Sequence, residues 1–416
     1  MATTTLTPVS LVGDLRGVLS DDRVLEEPVE LYLYSRDASL MQGQATCVVF
    51  PETTEEVAEV VRVAERHGVP IVARGAGTGL AAGAIPVDGG IVLSTTAMNQ
   101  IDIDVENRTA WVGAGVINLD LSMEAEPFGL AFAPDPSSQS ACTIGGNVAN
   151  NSGGAHCLAE GATTSHVLGM EVVLAGGETL VLGGQAPDMP GLDLKGLMVG
   201  SEGTLGVVTR ALVRLLPIEA DVRTLLLDFE DLEGATRTVS QVIASGLVPA
   251  ALEIMDQKMT TAVENWLKAG LPCDCAAILL AEVVGEPEAV EAEAALISRI
   301  GLTNGARVVK VARRGRASHP LEGTQVGVRC RGSGLPELLP SRHGRAALAA
   351  GGDDGGGPGD RRPLRAGRLQ RLPCRRRQSP PAHGVRRLRP GHVGQGPQGG
   401  RGDGCGMSQP WWRPLR

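Results

Sequence analysis

Glycine recurs at alternate positions in Arg74-Gly75-Ala76-Gly77-Thr78-Gly79-Leu80, a spacing that can do chemistry. Alternating glycine lets successive backbone amides turn toward one point, which makes a nest for an anionic diphosphate. A plain glycine-rich turn is the other reading of such a loop taken alone. Two further stretches have the same character. Residues 133–154 pass through Pro134, Asp135 and Ser138 to Thr143-Ile144-Gly145-Gly146-Asn147, and then to Asn151, Gly153 and Gly154. Residues 200–208 contain Glu202, Gly203, Val207 and Val208 around three glycines. Paired glycines let the backbone approach a flat ring system, and Asn147 and Asn151 offer amide donors and acceptors. Each stretch could be a turn between strands, but three in one domain argue for a ligand.

The elements around the first loop say what kind of ligand. A strand over 47–50 leads to Thr53 and Glu56, a capping box ahead of Val57, Val60, Val61 and Ala64 at helical spacing, and Gly68 closes that helix. A second strand over 70–73 runs directly into the glycine loop. In a nicotinamide-binding motif the glycines open a long helix, and an acidic residue follows about 20 positions on. Here 81–86 is short and ends at Pro86. The next elements are strands, 91–94 and a hairpin of 101–105 with 109–112. Asp102 and Asp104 alternate with apolar residues and read as the solvent face of a strand. A loop that holds diphosphate by its own amides suits a flavin better.

From 222 the pattern changes to β-α-β-α-β-α-β: strands over 222–229, 248–254, 276–284 and 308–312 alternate with helices over 232–244, 257–269 and 287–300. That order predicts an α+β sheet with helices on one face.

Composition divides the chain at about Arg313. The last Lys is Lys310 and the last Ile is Ile300, and no Phe or Tyr follows the break. Residues 313–416 hold 21 Arg against 6 acidic residues, a balance of +15, which leaves −24 for 1–312 out of the chain's −9. Three readings of this text compete: a solvated disordered extension, an arginine-rich nucleic-acid tail, and a shifted reading frame in a GC-rich gene. Nucleic-acid binding has weak support, because no aromatic residue interleaves with the arginines before Trp411. The shifted frame has more. Reread one base downstream with permitted codons, residues 370–381 can encode N-V-F-H-A-G-D-G-N-L-H-P, 323–343 can encode a segment containing R-K-S-A-F, and 313–321 and 408–416 also become protein-like.

Eight cysteines with no C-x-x-C indicate neither a zinc site nor a disulfide framework. Cys142 and Cys157 read as small buried residues rather than nucleophiles. No run of 18 apolar residues and no signal peptide are present in the text, so the expected compartment is the cytoplasm.

The motifs R-G-A-G-T-G-L, A-P-D-P-S-S-Q followed by C-T-I-G-G-N-V-A-N-N-S-G-G, and G-S-E-G-T-L-G together resemble the FAD-linked oxidase family, with a vanillyl-alcohol-oxidase (PCMH-type) flavin domain. The similarity is to its glycolate oxidase and D-lactate dehydrogenase branch and spans roughly 29–312. It implies an α+β chain with an N-terminal segment (1–41), a two-subdomain FAD-binding domain (42–219), a truncated α+β substrate or cap domain (220–312) and a disordered, out-of-frame tail (313–416). It also implies diphosphate at Arg74, Gly75, Ala76, Gly77, Thr78, Gly79 and Leu80. Flavin would be lined by Pro134, Asp135, Ser138, Thr143, Gly145, Gly146, Asn147, Asn151, Gly153 and Gly154, and Glu202, Gly203, Val207 and Val208 would complete the site. No His occupies the loop where relatives attach flavin covalently, so FAD is expected to be non-covalent. The implied substrate is a small 2-hydroxy acid, with an iron–sulfur subunit or another acceptor receiving the electrons. The family elements that bind the carboxylate and remove the proton would lie past the break, so catalytic residues are left unassigned and no metal site is expected. The other reading is a non-catalytic flavin-binding or assembly subunit.

Overall fold

The computed structural model describes residues 10–313, apart from 88 and 187–190. The expectation of a disordered tail falls outside the described residues. The chain opens with α1 (Leu11–Arg16), β1 (Val24–Leu25) and α2 (Pro28–Tyr34), followed by β2 (Ala45–Val49), α3 (Thr54–His67), β3 (Ile71–Arg74) and β4 (Gly90–Ser94). These strands form a sheet in the order β1-β2-β4-β3, with β2, β4 and β3 parallel and β1 antiparallel at the edge. The N-terminal segment is therefore built into the first sheet. Val57, Val60, Val61 and Ala64 of α3 pack onto Cys47, Val49, Ile91 and Leu93, the core that the helical spacing predicts.

The ends of α3 follow local chemistry. Thr53 Oγ1 accepts from the Glu56 amide at 3.2 Å, and Gly68 terminates the helix at φ +64°. The Glu56 carboxylate stays beside the Thr53 amide, as a capping box requires, and takes further partners. It accepts from the amide of Glu52 at 2.7 Å and from both terminal nitrogens of Arg23 at 2.7 and 2.8 Å. The bidentate guanidinium adds a charge-assisted pair to the cap.

The second layer holds β5 (Ile101–Asp104), β6 (Thr109–Gly113), β8 (Val167–Val173), β9 (Thr179–Gly183) and β10 (Val207–Arg214), an antiparallel sheet in the order β5-β6-β10-β8-β9. Between β6 and β8 lie α4 (Asn118–Ala125), β7 (Leu130–Ala131), α5 (Ile144–Asn150) and α6 (Cys157–Glu160), with α7 (Leu194–Met198) before β10 and β11 (Leu216–Pro217) after it. Ile144 and Val148 of α5 are fully buried against Val112, Val172 and Ala211. Within the glycine-rich stretch 143–154, residues 144–150 are this helix. It is a short helix because Thr143 caps it, its Oγ1 accepting from the Gly146 amide at 3.3 Å, and because apolar residues four apart face the sheet.

The C-terminal subdomain runs β12 (Asp221–Phe229), α8 (Leu232–Ala244), β13 (Ala251–Asp256), α9 (Gln257–Leu267), β14 (Ala277–Gly285), α10 (Pro287–Thr303) and β15 (Ala306–Arg313). The element order is the expected one, and the sheet is fully antiparallel in the order β13-β14-β12-β15. Strand alternation sends Leu225, Leu227 and Phe229 into a core with Val242 of α8 and Val290 and Ile297 of α10. It sends Thr224 and its cross-strand partner Glu282 to the opposite face.

Candidate functional site

Residues 74–80 leave the end of β3 without starting a helix, and the next regular element is β4. This matches the distinction from a nicotinamide motif. The loop forms one wall of a cleft whose other walls are α5 with its N-terminal approach, and the segment 201–208. Arg74, Gly75, Ala76, Gly77, Thr78, Gly79, Leu80, Ser138, Thr143, Gly145, Gly146, Asn147, Glu202, Gly203, Val207 and Val208 all line this single cleft. Three stretches separated by about 130 positions of sequence thus converge. The glycines permit close packing: a β-carbon on Gly145 would meet Ala114, and one on Gly75 would meet Thr143 Oγ1. The 200–206 turn is tied to the last turn of α5, where the Gly200 amide donates to Val148 O at 2.9 Å and the Glu202 amide to Ala149 O at 2.8 Å.

Pro134, Asp135, Asn151, Gly153 and Gly154 are not among the residues that line this cleft. Pro134 O accepts from Asn118 Nδ2 at 2.9 Å, and Asn151 takes the left-handed C-cap position of α5 at φ +48° while its Oδ1 accepts from the Thr164 amide at 2.9 Å. A β-carbon on Gly153 would meet Cys157 Sγ, and one on Gly154 would meet Asp135. The cleft also takes in Asp37, Thr95, Cys142, Asn150, Ser152 and Ser201, none of which a glycine-based pattern singles out.

The donors in the cleft fit an anionic dinucleotide. Among the described residues no acceptor meets the amides of Ala76, Gly77, Thr78, Gly79 or Leu80, so five consecutive N–H groups remain for a ligand. Asn147 is buried, and among the described residues its Nδ2 has no oxygen acceptor, only the Cys142 thiol beside it. Burial pushes that thiol above its ordinary pKa, which keeps it protonated and unreactive. Arg74 packs against the loop at Gly77. Its guanidinium donates to Ala84 O at 3.2 Å and lies 5.6 Å over the Tyr34 ring. Burial lowers its pKa, and the Asp37 carboxylate works in the opposite direction.

His156 was missed from sequence. Its Nδ1 is 2.7 Å from Asp135 Oδ2 and its Nε2 is 3.0 Å from Glu282 Oε1, so it joins the flavin-side loop to β14. Burial opposes its charge, but the two carboxylates outweigh that cost and hold its pKa at about 10. The only signal in the text is a His two residues after a Gly pair. Its second partner lies 126 positions away.

Residues 45–183 match the FAD binding domain family, and residues 218–321 match the C-terminal domain of FAD linked oxidases. The chain belongs to the FAD-linked oxidase family, and its cofactor is FAD. It is 45% identical over 271 residues to the glycolate oxidase subunit GlcD of Bacillus subtilis (strain 168), covering 64% of this chain and 58% of that protein. GlcD of Escherichia coli (strain K12) is 42% identical over 305 residues, covering 73% of this chain and 61% of the relative. A D-lactate dehydrogenase of Archaeoglobus fulgidus is 39% identical, covering 56% of this chain and 53% of the relative. The chain thus spans about three fifths of the GlcD proteins it matches. The fold is also that of p-cresol methylhydroxylase, with a TM-score of 0.63 at 20% identity over 79% of this chain and 70% of the other. Alkyldihydroxyacetonephosphate synthase gives a TM-score of 0.62 at 19% identity over 72% and 60%. No helix among the described residues is long and apolar enough to cross a membrane.

Proposed function

We propose that this chain is the flavin-holding part of an oxidoreductase for small 2-hydroxy acids of the glycolate or D-lactate class, with FAD bound non-covalently in the cleft. The observation that carries the reading is the row of five unpartnered amides at 76–80, facing a cleft built from three glycine-rich stretches. The identity to GlcD and D-lactate dehydrogenase supports the substrate class. In this reading the 76–80 amides hold the diphosphate, Asn147 donates to the ring system, and Gly145 and Gly146 let α5 come close to it. FAD, when bound, supplies the acceptor for the α-carbon hydride. Residues 42–219 form the flavin domain and 220–312 part of the substrate domain.

The acid must also be held by cations, and its hydroxyl proton must be taken by a base. In the shifted reading of 313–416 the R-K-x-A-F and H-A-G-D-G-N-L-H-P elements are recovered, and as written they are absent. We therefore assign no catalytic residue to this chain, and His319, His343, His383 and His392 have no role in the reading. The 416-residue protein reconstituted with FAD should bind flavin yet oxidise D-lactate or glycolate only weakly with a dye acceptor. Restoring the frame near Arg313 should bring activity. Turnover by the 416-residue chain at a rate near that of the restored form would overturn the frame reading, and failure to retain FAD would overturn the site. A non-catalytic flavin-binding subunit is the second reading, and it predicts no activity in either form.

A further inference from the structure

His156 sits between two carboxylates that belong to different subdomains, and all four of their oxygens are used. Asp135 Oδ2 is bonded to the ring and its Oδ1 accepts from the His156 amide at 3.3 Å, while Glu282 Oε1 is bonded to the ring and its Oε2 accepts from Thr224 Oγ1 at 3.2 Å. The three side chains are 19%, 8% and 15% exposed for His156, Asp135 and Glu282. A neutral imidazole donates from one nitrogen only, so satisfying both carboxylates takes an imidazolium. Glu253 on β13 adds a third acidic group near the ring. Burial, and then the charge of Asp135, raise its pKa, and His156 lowers it. Cys157, the next residue, is occupied in accepting from the Gly154 amide at 3.0 Å. With both ring nitrogens engaged, His156 has no free lone pair with which to act as a base.

We propose that His156 is a charged latch, a positioning residue that fastens β14 of the C-terminal subdomain to the 134–139 loop, whose Ser138 lines the flavin cleft. The sheet that carries Thr224, Glu253 and Glu282 is thereby held in one stance against the flavin subdomain. The latch needs the two subdomains and their contact; it does not depend on which acid is oxidised. Breaking one side of a buried ion pair leaves the other charge uncompensated, and the contact opens.

The test uses the full chain reconstituted with FAD, with hydrogen exchange followed at 153–160 and at the edge strand 251–256, whose packing on α6 the latch secures. His156→Ala and Glu282→Gln should each speed exchange there about tenfold, the double variant should be no faster than the faster single, and FAD affinity should change less than twofold. If His156→Ala does not fold, His156→Gln, which keeps size and hydrogen bonding but not charge, is expected to give the same acceleration. The difference between parent and His156→Gln should be full below about pH 6.5 and vanish toward pH 10, because the raised pKa ties the latch to the proton. Unchanged exchange, multiplicative single effects in the double variant, or a difference independent of pH would overturn the latch. Loss of FAD with unchanged exchange would instead place His156 in the cofactor site.

Discussion

The guanidinium of Arg74 fills the space in which a β-carbon on Gly77 would stand. Gly77 also has φ of +71°, a conformation that L side chains adopt at a cost of about 1–2 kcal/mol. The tip of the loop is therefore packed against Arg74, and the obstacle to a side chain at 77 is this cation rather than the ligand alone. Gly77→Ala should displace Arg74 from Ala84 and Tyr34 and weaken FAD binding by at least about tenfold, the equivalent of 1.4 kcal/mol. Titration of the apoprotein with FAD reads this directly, and parent-like affinity would show that the nest does not hold the cofactor.

A β-carbon on Gly154 would press on the backbone and carboxylate of Asp135. Gly154→Ala should thus destabilise the chain by about 1–3 kcal/mol, the range for forced overpacking, while leaving the cleft wall intact. Denaturant unfolding should show the loss, with FAD affinity moving less than stability.

Thr143 acts at the start of α5 through one hydroxyl. Thr143→Val keeps its shape but removes the acceptor for the Gly146 amide, at an expected cost of about 1 kcal/mol. Thr143→Ser should recover most of that loss in a thermal melt. An equal loss in both variants would assign the effect to the methyl group.

Arg223 and Asp221 pair at 2.6 Å, with side chains only 8% and 5% exposed. Arg223→Met would strand the Asp221 carboxylate and should cost about 3 kcal/mol in the C-terminal subdomain, softened where Arg313 reaches Asp221 at 3.4 Å. Burial acts to raise the Asp221 pKa, but Arg223 and Arg313 hold it below its ordinary value. Its contribution is complete above about pH 3.9 and is lost as pH falls through the lower folded value. Acid unfolding of the parent should carry this component, and the Arg223→Met variant should lack it.

Local signals in the text settled a great deal. The cap at Thr53, the stop at Gly68, the 101–113 hairpin and the order of elements from 222 onward depend on sterics and hydrogen bonds within a few residues, so the letters carry them. The three glycine-rich stretches were legible as well, because close approach demands Gly wherever it occurs. Two features needed more than local signals. Residues 144–150 are a helix because burial of Ile144 and Val148 outweighs the low helix propensity of Gly145 and Gly146, and Glu56 adds to its capping box a pair with Arg23, 33 positions away. Which glycines line the cleft was decided by tertiary structure. So was the role of His156. Its carboxylates come from a loop 21 residues before it and a strand 126 residues after it, and a charge pair at that separation depends on sheet register and subdomain docking, which no short-range pattern encodes.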